Sequence, residues 1–189
     1  MTDFFALLDE PRAVWLDSAA LKSKFHERSA AVHPDRFHNA APEAKAAATT
    51  RYAEINAAHS CLANTRSRLK HFLELETGQP PADIQQTPPD LMDLFFECGQ
   101  LCSGIDKFLR EKEAADSPLL KVRFFGRGMD WSDQIQDFNG RLAGHIGTLE
   151  TELRSDPPPL KRIEEIYRRL SYYERWQSQL QERFVKLSF

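Results

Sequence analysis

From Leu160 to the C-terminal region, apolar residues recur at every third or fourth position: Leu160, Ile163, Ile166, Leu170, Tyr173, Trp176, Leu180, Phe184 and Leu187. No other feature of the 189-residue chain constrains its fold as strongly. An α-helix turns once in about 3.6 residues, so this spacing keeps every one of these side chains on a single face. A stripe that long needs apolar partners, and two earlier stretches supply them. Leu91, Phe95, Cys98, Leu101, Cys102, Ile105 and Phe108 form one stripe; Trp131, Ile135, Phe138, Leu142, Ile146, Leu149 and Leu153 form another. Three amphipathic helices of this kind close into an antiparallel three-helix bundle. No stretch alternates β-branched and polar residues as a half-buried strand would, so the expected fold class is all-α.

Prolines divide the chain. Pro80-Pro81 and Pro88-Pro89 bracket a polar stretch with Gln85-Gln86, which reads as a linker, and Pro157-Pro158-Pro159 ends one helix and opens the next. The expected organisation is a first unit at 1–77, a linker at 78–87 and a helical bundle at 88–189. Leu119–Asp130 breaks the bundle pattern: Gly126 and Gly128 interrupt it, and Phe124-Phe125 lie beside Arg123 and Arg127. An exposed loop is expected there.

In the first unit, Asp17 or Ser18 is placed to cap a helix running to about Val32, with Leu21, Phe25 and Val32 on one face. Pro34 ends that helix, because the residue before a proline is pushed out of the α region. Pro42 opens a second helix, Glu43 to about Leu62, with Ala48, Tyr52, Ile55 and Leu62 inward. The two form a hairpin around a tight polar loop, His33-Pro34-Asp35, with Arg36 and Phe37 next. A shorter helix is expected at about Ser67–Glu76.

The composition, 41% hydrophobic and 28% charged, is that of an ordinary globular chain, and the formal net charge of -3 exerts no overall pull on nucleic acid or anionic membrane. No apolar stretch is long enough to span a bilayer, and Met1–Leu8 lacks the basic start and apolar run of a signal peptide, so a cytoplasmic location is expected. Cys61, Cys98 and Cys102 form no C-x-x-C pair and read as small core residues. Gly-rich phosphate loops, H-E-x-x-H and G-x-S-x-G are all missing from the sequence, which offers no catalytic residues and no cofactor site. His33 and His38 with Asp35 lack a fourth ligand and the freedom to converge on a metal.

The placement of His33-Pro34-Asp35 between two long helices resembles the J-domain family: FHERSAAVHPDRF is similar to its second helix and loop, and YAEINAAHSCLAN to its third helix. The resemblance implies docking on a DnaK-type chaperone and stimulation of that partner's ATPase, with no catalysis in this chain. Asp35 would meet a chaperone arginine in a charge-assisted pair, Pro34 would stiffen the loop and His33 would add a directional hydrogen bond. The family's usual basic doublet is replaced by His26 and Glu27, so Lys22, Lys24, Arg28 and Arg36 are the expected steering charges. Arg28 falls close to the apolar stripe and must reach outward. No glycine/phenylalanine-rich or cysteine-rich segment follows. That layout, with Asp3-Phe4-Phe5-Ala6-Leu7-Leu8 and Arg68-Leu69-Lys70-His71-Phe72-Leu73, resembles the HscB family of iron–sulfur co-chaperones. It implies delivery of an IscU-type scaffold to a DnaK/HscA-type chaperone. The client surface implied comprises Leu91, Met92, Phe95, Phe96 and Tyr172, although the family's acidic places meet Phe96 and Gly99 here. Two other readings stay open: a J-domain adaptor for a different client, and a helical interaction protein with no chaperone partner.

Overall fold

The computed structural model describes residues 2–82, 87–114, 118–155 and 158–187, the side chains of 118–121 excepted. Among the described residues there are helices and no strands: α1 (Phe4–Leu7), α2 (Ser18–Ala31), α3 (Pro42–Ala63), α4 (Thr65–Thr77), α5 (Met92–Glu113), α6 (Pro118–Ser155) and α7 (Leu160–Leu187). Two single 3-10 turns, Pro34–Phe37 and Pro89–Leu91, precede α3 and α5. The chain is all-α, as its periodicity requires. By compactness it divides into Met1–Ala82 with Glu150–Tyr167, and Asp83–Leu149 with Arg168–Phe189.

In the first unit the helices start where side chains can take up the free N–H groups of a first turn. The Asp17 carboxylate accepts from Ala20 N at 2.8 Å, Asn64 Oδ1 accepts from Ser67 N at 2.8 Å, and Pro42 opens α3, where a missing N–H does no harm. Helix α4 stops at Gly78, whose φ of 73° lies in the left-handed region that a side chain disfavours. Helices α2 and α3 pack as a hairpin with α1 and α4 against α3, around Phe5, Leu8, Leu16, Leu21, Ile55, Ala58 and Leu62. Ser29 is buried on the inner side of α2, while Arg28 reaches back to Asp9 at 3.6 Å and stays at the surface. Arg68 and His71 are buried here as well. Arg68 donates to Val14 O (3.0 Å), Leu62 O (2.6 Å) and Thr65 Oγ1 (3.3 Å). His71 Nε2 accepts from Phe4 N at 3.0 Å, holding α1 on α4.

The second unit buries Cys98, Leu101, Ile105 and Phe108 of α5, Ile135, Phe138 and Leu142 of α6, and Leu170, Tyr173, Trp176 and Leu180 of α7. Asp106–Arg183 (2.7 Å) and Asp90–Arg169 (2.5 Å) bind α5 and its preceding turn to α7; Glu97 pairs with Arg141 of α6. Cys98 is buried in this core, and burial, with Cys102 beside it, pushes its thiol up to about 12, where it stays protonated and inert. The expected loop at Leu119–Asp130 is instead part of α6. Two interior glycines weaken a helix by about 1 kcal/mol each, but tertiary contacts outweigh that here. Phe124 packs on Phe108 with ring centroids 5.6 Å apart, Arg127 lies over both rings and pairs with Glu111, and a Cβ at Gly128 would sit 3.8 Å from the Phe108 ring. The exposed part of the expectation holds for Val122, Phe125 and Met129, which face solvent.

Candidate functional site

The His33-Pro34-Asp35 loop is built from adjacent residues. Pro34 forces His33 out of the helix, to φ -57° and ψ 130°, which ends α2 at Ala31 and makes His33 the cap of the 3-10 turn Pro34–Phe37. His33 Nδ1 accepts from Asp35 N at 3.3 Å, so the neutral ring carries its proton on Nε2. Arg36 N donates to His33 O at 3.0 Å. A ring nitrogen of His38 lies 2.9 Å from Asp35 O, and the His33 ring meets Tyr52 of α3 edge-on at 5.1 Å. The Asp35 backbone is therefore held on both sides, while its side chain is 90% exposed. His33 Nδ1, already the acceptor for Asp35 N, lies 3.6 Å from Asp35 Oδ2. A carboxylate on a stiff turn with most of its acceptor capacity open suits a guanidinium from another protein.

The expected steering charges divide into two pairs. Lys24 donates to Asp9 O at 2.6 Å and pairs with the buried Glu10 at 3.2 Å, and Arg28 pairs with Asp9, so both are engaged within the chain. Lys22 is exposed, and Arg36 lies at the loop with one donor on Ala30 O at 3.3 Å. Sequence reasoning missed His59 beside them and named His26 only as a replacement in the basic doublet. His59 of α3 stacks on Phe25 at 4.1 Å, and the His26 ring lies 5.4 Å from that of Phe25. Burial lowers the His59 pKa, and His26 and Lys22 lower it further. Helical spacing alone places His26 and Phe25 together; the arrival of His59 depends on how α2 and α3 pack.

At the start of α5, Phe95 and Phe96 are 44% and 57% exposed, their rings in a T-shaped contact at 5.7 Å, with Met92 half-buried. Leu91 and Tyr172 do not join this surface: they are only 3% and 6% exposed. Leu91 closes the 3-10 turn into the core, and the Tyr172 ring packs by Trp176 at 5.7 Å.

A helical hairpin carrying His-Pro-Asp at its loop, on a chain that also forms a helical bundle, defines a J-type co-chaperone. The chain is similar to proteins called co-chaperone protein HscB homolog: it is 33% identical to that of Shewanella baltica over 71% of this chain and 97% of the relative. It is 25% identical to that of Shewanella loihica over 95% of both. The chain belongs to the HscB co-chaperone family. Among solved structures, HscB from Vibrio cholerae matches 96% of both chains with a TM-score of 0.58 at 18% identity. Human HscB matches 96% of this chain and 81% of its own with a TM-score of 0.55 at 17% identity. No protein-family model matches the chain.

Proposed function

We propose that the chain stimulates the ATPase of a DnaK/HscA-type chaperone and delivers an IscU-type iron–sulfur scaffold to it. The observation that carries this reading is the Asp35 carboxylate, almost fully exposed on a turn whose backbone is pinned by His33, Arg36 and His38. The backbone that carries the group has lost its conformational freedom before a partner arrives, so its charge-assisted pair with a chaperone arginine has only side-chain rotamers left to order. Lys22 and Arg36 add positive charge that speeds encounter with an acidic surface and is screened by salt. The scaffold is bound by Met92, Phe95 and Phe96 on α5, an adaptable apolar patch at the start of that helix.

Single-turnover ATP hydrolysis by the chaperone tests the loop. Asp35→Asn keeps the helical content and melting temperature of the parent chain but abolishes stimulation; full stimulation by this variant refutes the reading. Replacing Phe95 and Phe96 with Ser weakens capture of the scaffold while stability falls by no more than about 1–2 kcal/mol, since each side chain is about half covered. Retained scaffold binding by that double variant, beside normal ATPase stimulation, leaves a J-domain adaptor with a different client.

A further inference from the structure

Within the first compact unit, the segment before α2, helix α4 and the residues around the start of α7 enclose a cavity of about 490 Å³. That is the size of a small-molecule pocket. Its walls are apolar: Val14, Trp15, Phe72, Leu153, Leu160 and Ile163. It is remote in sequence from the docking loop and from the α5 surface, and neither function uses it.

Its rim favours negative charge. The Arg154 guanidinium lies 5.1 Å from the centre of the Trp15 ring, a contact that leaves its N–H donors available at the edge of the cavity. Arg12 gives Nε and Nη2 to Asp3 (2.9 and 2.8 Å), which leaves its Nη1 uncommitted by that pair. Leu160 opens α7, whose first turn contains no acidic residue; the Pro159 carbonyl accepts from Arg162 N (2.8 Å) and Ile163 N (3.1 Å), which leaves the N–H groups of Leu160 and Lys161 outside the helix's own ladder. Against these stands one carboxylate in the lining, Glu76. Two guanidiniums and a helix N-terminus at one edge of an apolar cavity describe a receptor for an apolar body with an anionic head.

We propose that this cavity binds a medium-chain aliphatic carboxylate, with the chain against Trp15, Phe72, Leu153 and Ile163 and the carboxylate on Arg154. The planar guanidinium matches a carboxylate in two parallel hydrogen bonds, and Trp15 holds it at the rim. A ligand of this kind binds only the folded unit, so it raises the melting temperature; detergent-like binding to unfolded chain lowers it.

Decanoate and decanol are titrated calorimetrically into the full chain, with melting followed in parallel. Decanoate is expected to bind with one-to-one stoichiometry, to raise the melting temperature, and to bind at least about tenfold tighter than decanol, the difference a charge-assisted hydrogen bond supplies. Arg154→Gln removes that tenfold for decanoate and leaves decanol unchanged; Leu160→Trp, which fills the cavity from its exposed edge, weakens both. The Phe95/Phe96 double Ser variant binds decanoate as the parent does. The proposal is overturned by non-saturable binding, by equal affinity for acid and alcohol, by an Arg154→Gln variant that binds decanoate normally, or by loss of binding in the Phe95/Phe96 variant.

Discussion

Replacing Arg68 by methionine tests what holds the first unit together. The guanidinium is buried without a carboxylate partner at hydrogen-bond distance, and burial lowers its pKa, with Glu150 and Cys61 pulling it back up. Its strongest contacts are two backbone carbonyls, Val14 O before α2 and Leu62 O near the end of α3. Methionine fills much of the same volume but donates nothing, so both carbonyls lose their partner. A buried polar group left unpaired costs about 1–3 kcal/mol, giving about 2–6 kcal/mol for the pair. Relief of the guanidinium's own desolvation offsets part of this, and a net loss of about 2–4 kcal/mol remains. With a urea m-value near 2 kcal/mol/M, the midpoint falls by about 1–2 M. Far-UV circular dichroism gives the midpoint, and amide exchange in α3 and α4 assigns the loss to the first unit. Arg68→Lys separates charge from geometry: one ammonium cannot serve carbonyls reached by opposite ends of a guanidinium, so lysine also destabilises, by more than about 1 kcal/mol. A methionine variant within about 0.3 M of the parent midpoint, or a lysine variant equal to the parent, refutes the reasoning.

His71 makes stability depend on pH. Burial holds its pKa below the ordinary 6.5, and Arg12 acts in the same direction against Asp3 and Glu74. The unfolded chain therefore binds the proton first, so the stabilising contribution is full above about pH 6.5 and is lost as pH falls through the lower folded value. The slope cannot exceed about 1.4 kcal/mol per pH unit for one group. Urea midpoints from pH 7.5 to 5 fall less steeply in His71→Gln than in the parent; identical profiles contradict the assignment. Two glycines of the second unit respond in opposite directions. At Gly104 a Cβ would sit 2.6 Å from Trp131 Cη2, so Gly104→Ala destabilises by about 1–3 kcal/mol through overpacking. At Gly126 nothing lies within 4 Å, so Gly126→Ala gains up to about 1 kcal/mol of helix propensity; thermal melts of both variants check the signs.

What was legible in the sequence was what neighbouring residues decide. Pro42 announces α3, Pro34 ends α2, and the stripe from Ile163 to Leu187 sets the inner face of α7 because helical spacing is a local property, although Leu160, the first member of that stripe, is 44% exposed. Arg68 shows the limit of that logic. A hydropathy pattern puts an arginine outside, yet here two carbonyls from separate segments draw it in. Lys24 and Arg28 read as free surface cations until Asp9 and Glu10, from a segment before the helix, are folded against them. Leu119–Asp130 looked like a loop because its two glycines are local and Phe108, which keeps it helical, is not.

The same distinction separates the two halves of the site. Asp35 is presented by its own flanking residues: Pro34 sets the turn, His33 caps it, and His38 binds the next carbonyl, so its exposure follows almost entirely from the order of the chain. The α5 surface has no such local author. Phe95 sits in the apolar stripe of its helix, with Leu91 and Cys98 one turn to either side, and periodicity treats all three alike. Only the lengths and placement of α6 and α7 leave Phe95 uncovered while Leu91 and Cys98 are buried. Under the proposed function, the chaperone contact therefore lies in a short, sequence-encoded turn, while the client surface depends on helix packing. On the same reading, substituting Leu91, buried in the turn that opens α5 and one helical turn before Phe95, alters client binding through the start of that helix, whereas stimulation through Asp35 stays as it was.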